Sequence, residues 1–124
     1  MAGTVTVEES SFEGVCRIKW AWTSAAGGNA DLVTAKSYFG EVVSLLTNPG
    51  ATAPTADYDI TITDADGYDV LQGAGANRHT TNTEQTVPTA KSIAFGALTL
   101  NVTNAGAAKE GVAILYILGK RMPQ

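Results

Sequence analysis

The chain has 124 residues, enough for one domain with a sizeable core but not for two. Charged residues make up 16% of it, against roughly 25% in an average soluble protein, so neutral residues must form much of the surface or partners must cover it. A formal net charge of −4 argues against nucleic-acid binding, which usually depends on a basic patch.

The N-terminal part of the chain predicts two strands. Residues 4–8 alternate valines with polar residues, and residues 15–22 carry apolar side chains at every second position from Cys16 onward. Trp20 and Trp22 fall on the same face, where two indole rings would supply much of the buried area of a small core. We therefore interpret both tryptophans as core residues, and we expect an N-terminal arm of residues 1–11 ahead of a single β domain of residues 12–124.

The segment that follows the predicted loop of residues 24–36 is ambiguous. Between Tyr38 and Thr47, four apolar residues have helical spacing, but Gly40 interrupts them and no capping box precedes them. A strand is the better prediction, because the segment is short and its neighbours are strands. Asn48-Pro49-Gly50 would end either element.

A β-hairpin is predicted at the centre of the chain. Residues 58–63 alternate apolar and polar side chains, residues 64–67 (Asp-Ala-Asp-Gly) supply a tight turn, and residues 68–71 follow as the returning strand. Five aspartates run through this stretch with no basic residue among them, which predicts one acidic, solvated edge. They are Asp57, Asp59, Asp64, Asp66 and Asp69.

A long polar segment comes after the hairpin. Residues 73–88 have no periodicity and contain the only histidine, His79, next to Arg78, and loops of this length are usually functional or disordered. Residues 92–103 then become strand-like, and residues 112–118 form an unbroken apolar run. Because that run does not alternate, it predicts a strand buried on both faces, either in the centre of a sheet or against a neighbouring subunit.

Together these elements predict an all-β protein. About seven to eight short strands without a convincing helix favour an antiparallel β-sandwich or a Greek-key barrel.

None of the motifs that carry chemistry is complete. Asp64-x-Asp66-Gly67-x-Asp69 is similar to the start of a calcium loop, but the position for the bidentate glutamate is Gly75. His79 is the sole candidate for a catalytic base, and Cys16 lies on the predicted core face, where a thiol stays protonated. We expect no catalytic residue, no metal site and no cofactor, and we predict that the protein is not an enzyme.

The sequence also bears on the cellular compartment. A single cysteine excludes an internal disulfide, and residues 1–11 lack the basic and apolar regions of a secretion signal. The longest apolar run, residues 112–118, is too short to cross a bilayer. We therefore expect a protein that is made in a cytoplasm and needs no membrane.

Several motifs resemble those of small structural proteins of tailed bacteriophages and prophages. The motifs are Trp20-Ala21-Trp22, residues 48–54, Tyr58-Asp59 with residues 64–67, residues 75–78, residues 98–107 and residues 111–117. The resemblance extends from about Gly14 to Leu118, which is most of the chain. These motifs are specific for the group of proteins, but not for a position within the virion.

The resemblance implies a virion structural protein, foremost a capsid decoration (cement) protein that binds the outer head surface and stabilises the shell. The implied partner is the major capsid protein, the implied location is the capsid surface of a virion made in the bacterial cytoplasm, and the implied assembly is a closed homo-oligomer, with a trimer favoured. The expected contacts with neighbouring subunits or the shell lie in the arm and in the long polar segment. They are Val5, Val7, Arg78, His79 and Asn82.

Two alternatives stay open. The first is a tail, baseplate or head–tail connector component of the same particle. The second is a carbohydrate- or cell-surface-binding β-module, in which Trp20 and Trp22 would be exposed as a stacking platform.

Overall fold

The computed structural model describes the backbone of residues 3–123 and the side chains of residues 3–120. This part of the chain contains nine strands and no helix, and therefore no helix that could span a membrane. The strands are β1 (Thr4–Phe12), β2 (Val15–Thr23), β3 (Ala30–Val33), β4 (Lys36–Pro49), β5 (Asp59–Thr63), β6 (Glu84–Thr86), β7 (Ile93–Gly96), β8 (Thr99–Thr103) and β9 (Glu110–Pro123). The predicted all-β class is confirmed, with one strand more than the expected seven to eight.

The strands form two antiparallel sheets that enclose one core, as in a β-sandwich. The larger sheet has the order β1-β2-β9-β4-β6, and β7 pairs with the part of β4 that β6 leaves free. The smaller sheet has the order β3-β8-β5. β9 therefore lies in the centre of the larger sheet, one of the two positions predicted for its apolar run.

The core lies between the inner faces of the two sheets. The inward side chains of β2 are all buried: Cys16, Ile18, Trp20 and Trp22. This confirms the predicted alternation, and burial of each such side chain stabilises the fold by about 1.5–3 kcal/mol. The ring of Trp22 lies 5.6 Å from that of Tyr58, and it covers Gly111 of β9 so closely that a Cβ there would collide with the indole.

β4 is a strand, as predicted, and a bulge explains its helix-like spacing. The register of β4 against β9 shifts between Val42 and Ser44. Val43 is therefore an extra residue in β4, and the alternation of inward and outward side chains shifts by one position there. Val42 and Leu45 are both buried although they are three residues apart, which imitates a helical repeat. Gly40 interrupts the apolar pattern because the β4 and β9 backbones approach closely there, and a Cβ would collide with the Leu118 carbonyl.

The predicted central hairpin is only half correct. The strand β5 forms, but it pairs with β8. Residues 68–71 do not form a returning strand: only Asp69 pairs with β5, in a single bridge to Thr63, before the chain turns. The reason is that Val70 and Leu71 are both completely buried. Two consecutive inward side chains are incompatible with a strand that covers one face of a sheet.

The predicted N-terminal arm belongs to the larger sheet. β1 pairs with β2 along all nine of its residues, so this stretch is an edge strand and not a free extension, while residues 1 and 2 lie outside the described residues. Two predicted loops also contain strands, β3 within residues 24–36 and β6 within residues 73–88. In both, pairing with β8 or β4 satisfies backbone groups that a loop would leave to solvent.

Candidate functional site

Three of the predicted contact residues lie together in the loop before β6. Arg78 Nη1 is 3.5 Å from Glu84 Oε1, and Arg78 Nε and Nη2 both donate to the Ala76 carbonyl oxygen. The Arg78 backbone pairs with that of Tyr58, ahead of β5. The Arg78 side chain is only 13% exposed, so it holds the loop against the rest of its own chain and offers little surface to a partner.

His79 closes a turn in the same loop. Its Nδ1 accepts the backbone N–H groups of Thr81 and Asn82, at 3.0 and 2.9 Å, and its own N–H donates to Glu84 Oε1 at 2.9 Å. These contacts require an Nδ1 that carries no proton. His79 and Asn82 are both exposed, so they remain accessible on an ordered turn.

Val5 and Val7 lie far from that loop. They belong to β1, at the opposite edge of the larger sheet from β6, and they pack against the core of their own subunit. The five predicted contact residues therefore do not form one continuous surface. Their role in contacts remains a prediction.

The acidic hairpin is less solvated than its composition predicts, because its carboxylates bind backbone N–H groups. Asp69 accepts from Ile62, Leu71 and Gly73, and Asp64 accepts from residues 66 and 68. Asp59 accepts from Asn77 N–H and from the Asn104 side chain. These acids hold the turns around β5, a role that requires the short aspartate side chain. In the described part of the chain, no group of three or more His, Cys, Asp and Glu side chains is arranged to hold a metal ion.

Four buried polar side-chain atoms lack a hydrogen-bond partner among the described residues: Trp22 Nε1, Thr47 Oγ1, Tyr58 Oη and Ser92 Oγ. Burial raises the pKa of the Tyr58 hydroxyl, and the neighbouring Thr47 hydroxyl lowers it in part. The two hydroxyls do not meet in the geometry of a full hydrogen bond, so both remain without a partner. Trp20 and Trp22 are buried, which confirms them as core residues. The binding-module alternative required these rings at the surface, and it is wrong in that respect.

An apolar row crosses the outer face of the larger sheet. From β1 through β2, β9 and β4 to β7, directly paired positions are occupied by Phe12, Val15, Leu118, Glu41 and Ile93. Paired residues in neighbouring strands project from the same face. The residues next to them in β2, β9 and β4 are Cys16, Ile117 and Val42, which are buried in the core, so the row itself faces away from the core.

Two phenylalanines extend this row. Phe39 and Phe95 pair two residues farther along β4 and β7, and their rings meet edge to face at 5.0 Å. Phe12 is 76% exposed, Phe95 67%, Ile93 55% and Leu118 51%. We define the apolar band as Phe12, Val15, Phe39, Ile93, Phe95 and Leu118.

Charged residues lie within and beside the apolar band. Glu41 interrupts the row, Arg17 follows Val15 by two positions on the same face of β2, and Lys120 pairs with Phe39. In the part of the chain with described side chains, none of these three charges forms an ion pair. The band therefore combines apolar area with both signs of charge.

No motif in the sequence predicts the apolar band. The one sequence feature that indicates the band is the unbroken apolar run of residues 112–118. A central strand whose outer face contacts another protein has no polar face, and its sequence therefore does not alternate. Ile114 of that run is nearly buried on the outer face, whereas Leu118 is half exposed. The predicted burial of both faces of β9 is thus incomplete within one subunit.

Comparisons with known proteins give no family assignment. No family model matches the chain, and no curated protein matches it. Among solved structures, a cupin domain from Bordetella pertussis Tohama I is similar at 14% identity and a TM-score of 0.32, over 94% of this chain and 93% of that one. The structure of the infectious bursal disease virus Gx strain is similar at 12% identity and a TM-score of 0.34, over 98% of this chain but only 33% of that one. Both likenesses are too weak to support an argument about function.

Proposed function

We propose that this protein is a non-enzymatic structural component of a bacteriophage virion. In this proposal it is a capsid decoration protein that binds the major capsid protein on the outer head surface and stabilises the shell. It assembles there as a closed homo-oligomer, of which the trimer implied by the sequence resemblance is one form. The observation that carries the proposal is the apolar band, which supports its assembly part.

The size and shape of the band support an assembly role. If a whole phenylalanine side chain has roughly 200 Å² of surface and an aliphatic one somewhat less, the band exposes about 500–600 Å² of apolar area. That lies at the upper end of the largest patches on typical monomers, and such patches mark interaction sites. The band lies on an exposed sheet face and not in a cleft, which suits a protein partner better than a small ligand.

The motifs of the sequence resemblance support the location in a virion. Several of them contribute to the fold: Trp20 and Trp22 are in the core, and the Asp64 carboxylate closes the turn after β5. The motifs that carry the resemblance therefore include residues on which this fold depends, and this supports the proposed role. A tail, baseplate or connector position would use the same kind of surface and is the principal competitor.

The test is to count bound copies per particle. Purified protein is mixed with capsids that lack it, and bound copies are measured by densitometry against the major capsid protein. The proposal predicts saturable binding at a copy number comparable with that of the major capsid protein, together with greater resistance of the particle to heat. Binding at a single vertex would indicate the connector or tail position, and no binding would refute the virion proposal.

A further inference from the structure

We propose that the apolar band is the contact surface between two copies of this chain, packed face to face about a two-fold axis that runs along the strands at Leu118. This deepens the proposed function and rests on it for its purpose in the particle. The contact itself is a property of the purified protein. It gives a pair, and it therefore departs from the trimer that the sequence resemblance favours.

The symmetry of the row is the first argument. Leu118 is the third of its five positions, with two strands on either side. A two-fold axis at that position places Phe12 of one copy over Ile93 of the other, and the two Leu118 side chains over each other. A surface that meets itself in this way is self-complementary, as two-fold interfaces require.

The charges are the second argument. The same rotation places Glu41 of one copy over Val15 of the other, beside Arg17, which lies two residues along the same face of β2. A carboxylate buried in an apolar contact is strongly unfavourable unless a cation pairs with it. A second copy supplies that cation in both directions, giving two Arg17–Glu41 pairs, while the same rotation brings the two Lys120 side chains together at the axis as one like-charge contact. Because the opposite-charge pairs outnumber the like-charge contact, charge complementarity favours this chain as the occupant.

The available area is the third argument. A stable interface buries about 800 Å² on each partner, with a lower limit near 600 Å². The apolar band alone provides about 500–600 Å² per copy by the side-chain areas used above. Glu41 within the row, and Arg17 and Lys120 beside it, add to this area and bring the total to the lower limit for a stable interface.

The first test measures mass in solution by sedimentation equilibrium over a range of concentrations. The wild-type protein is expected at twice the mass of one chain, and I93K is expected to be monomeric at concentrations where the wild type is fully paired. V33K and V87K are matched controls, because Val33 and Val87 are similarly exposed but lie outside the apolar band. A monomeric wild type, a trimeric mass, or an I93K protein as fully paired as the controls would overturn the inference.

The second test uses charge reversal and does not depend on disrupting the apolar surface. R17E and E41R should each weaken association by at least about tenfold, and the double variant R17E/E41R should restore it to within a few-fold of the wild type. Arg17 and Glu41 are two strands apart in one chain and form no ion pair there, so rescue must come from the contact between copies. Failure of the double variant to recover, with folding confirmed by circular dichroism, would overturn the inference.

These tests separate the inference from the proposed function. Capsid binding by a protein that is monomeric in solution would support the virion proposal and overturn the pairing. Loss of capsid binding in R17E and E41R without any change in solution mass would assign the apolar band to the shell and not to a second copy. A paired protein that never binds capsids would leave the contact intact and refute the virion proposal.

Discussion

Removing the Asp69 carboxylate tests whether the acidic hairpin is structural. Asp69 Oδ1 accepts the N–H groups of Ile62 and Leu71 at 3.1 and 3.0 Å, and Oδ2 accepts that of Gly73 at 2.9 Å. Hydrogen bonds to a charged acceptor contribute about 1.5–3 kcal/mol each when they are buried, and the first two are partly buried here. D69A should therefore lower the free energy of unfolding by about 3 kcal/mol.

A graded series makes this prediction sharper. D69N keeps an oxygen for Ile62 and Leu71 but turns an amide NH2 toward Gly73, so we expect a loss of about 1 kcal/mol, for one exposed hydrogen bond. D66A is the matched control, because Asp66 is an exposed aspartate three residues before Asp69, and its replacement should change the free energy by less than about 0.5 kcal/mol.

Urea unfolding followed by tryptophan fluorescence is the appropriate assay, since both tryptophans are buried and report loss of the core. If D69A and D66A unfold at the same urea concentration, the carboxylate does not hold the turn. The acidic stretch would then be the solvated edge that its composition predicts, and the account of how β5 is fixed would be wrong.

Two further substitutions test the core. Y58F should leave the melting temperature at pH 7 unchanged or raised, because it removes a buried hydroxyl that lacks a partner. Burial raises the pKa of that hydroxyl in the folded state, so the stability of the wild type should fall as the pH rises above about 10. Over the same pH range Y58F should lose less stability than the wild type or the exposed control Y68F. An equal loss in all three proteins on alkaline titration would contradict this. G111A should destabilise the fold by about 1–3 kcal/mol, because its Cβ would collide with the Trp22 indole. The control G27A places a Cβ in open space and should have little effect on the urea midpoint. Equal midpoints for the two variants would show that the core around Gly111 can accommodate the added methyl group.

The parts of the fold that follow local rules were predictable. The strands β2 and β5 were predictable because one inward face gives strict alternation, and the lack of alternation in β9 left two predicted positions, of which the sheet centre is the one observed. The class of the fold followed from these strands. Local pattern is sufficient wherever a strand covers one face without interruption.

The errors have a physical cause in each case. The bulge at Val43 changes the phase of β4, and no local rule indicates a bulge in advance. Residues 68–71 have strand-like composition, but Val70 and Leu71 are buried in succession by tertiary packing. The sequence predicts a strand over residues 4–8 within an N-terminal arm, but not its pairing with β2, because that pairing depends on register, which the sequence of β1 alone does not specify.

The apolar band was not predictable for a related reason. Its members come from five strands, most of them distant from one another in sequence, and each exposed apolar residue is unremarkable by itself. Only the register Phe12–Val15–Leu118–Glu41–Ile93 unites them. The predicted loop residues Arg78 and His79, by contrast, are occupied mainly by contacts within their own loop.

The most direct test of the account is a cryo-EM reconstruction of capsids that have been reconstituted with the purified protein. The account predicts density for this chain on the outer surface at every equivalent position of the shell, in pairs whose larger sheets face each other at the apolar band. An undecorated shell, or density confined to one vertex, would contradict the decoration role, and single copies with the band against the shell would contradict the pairing.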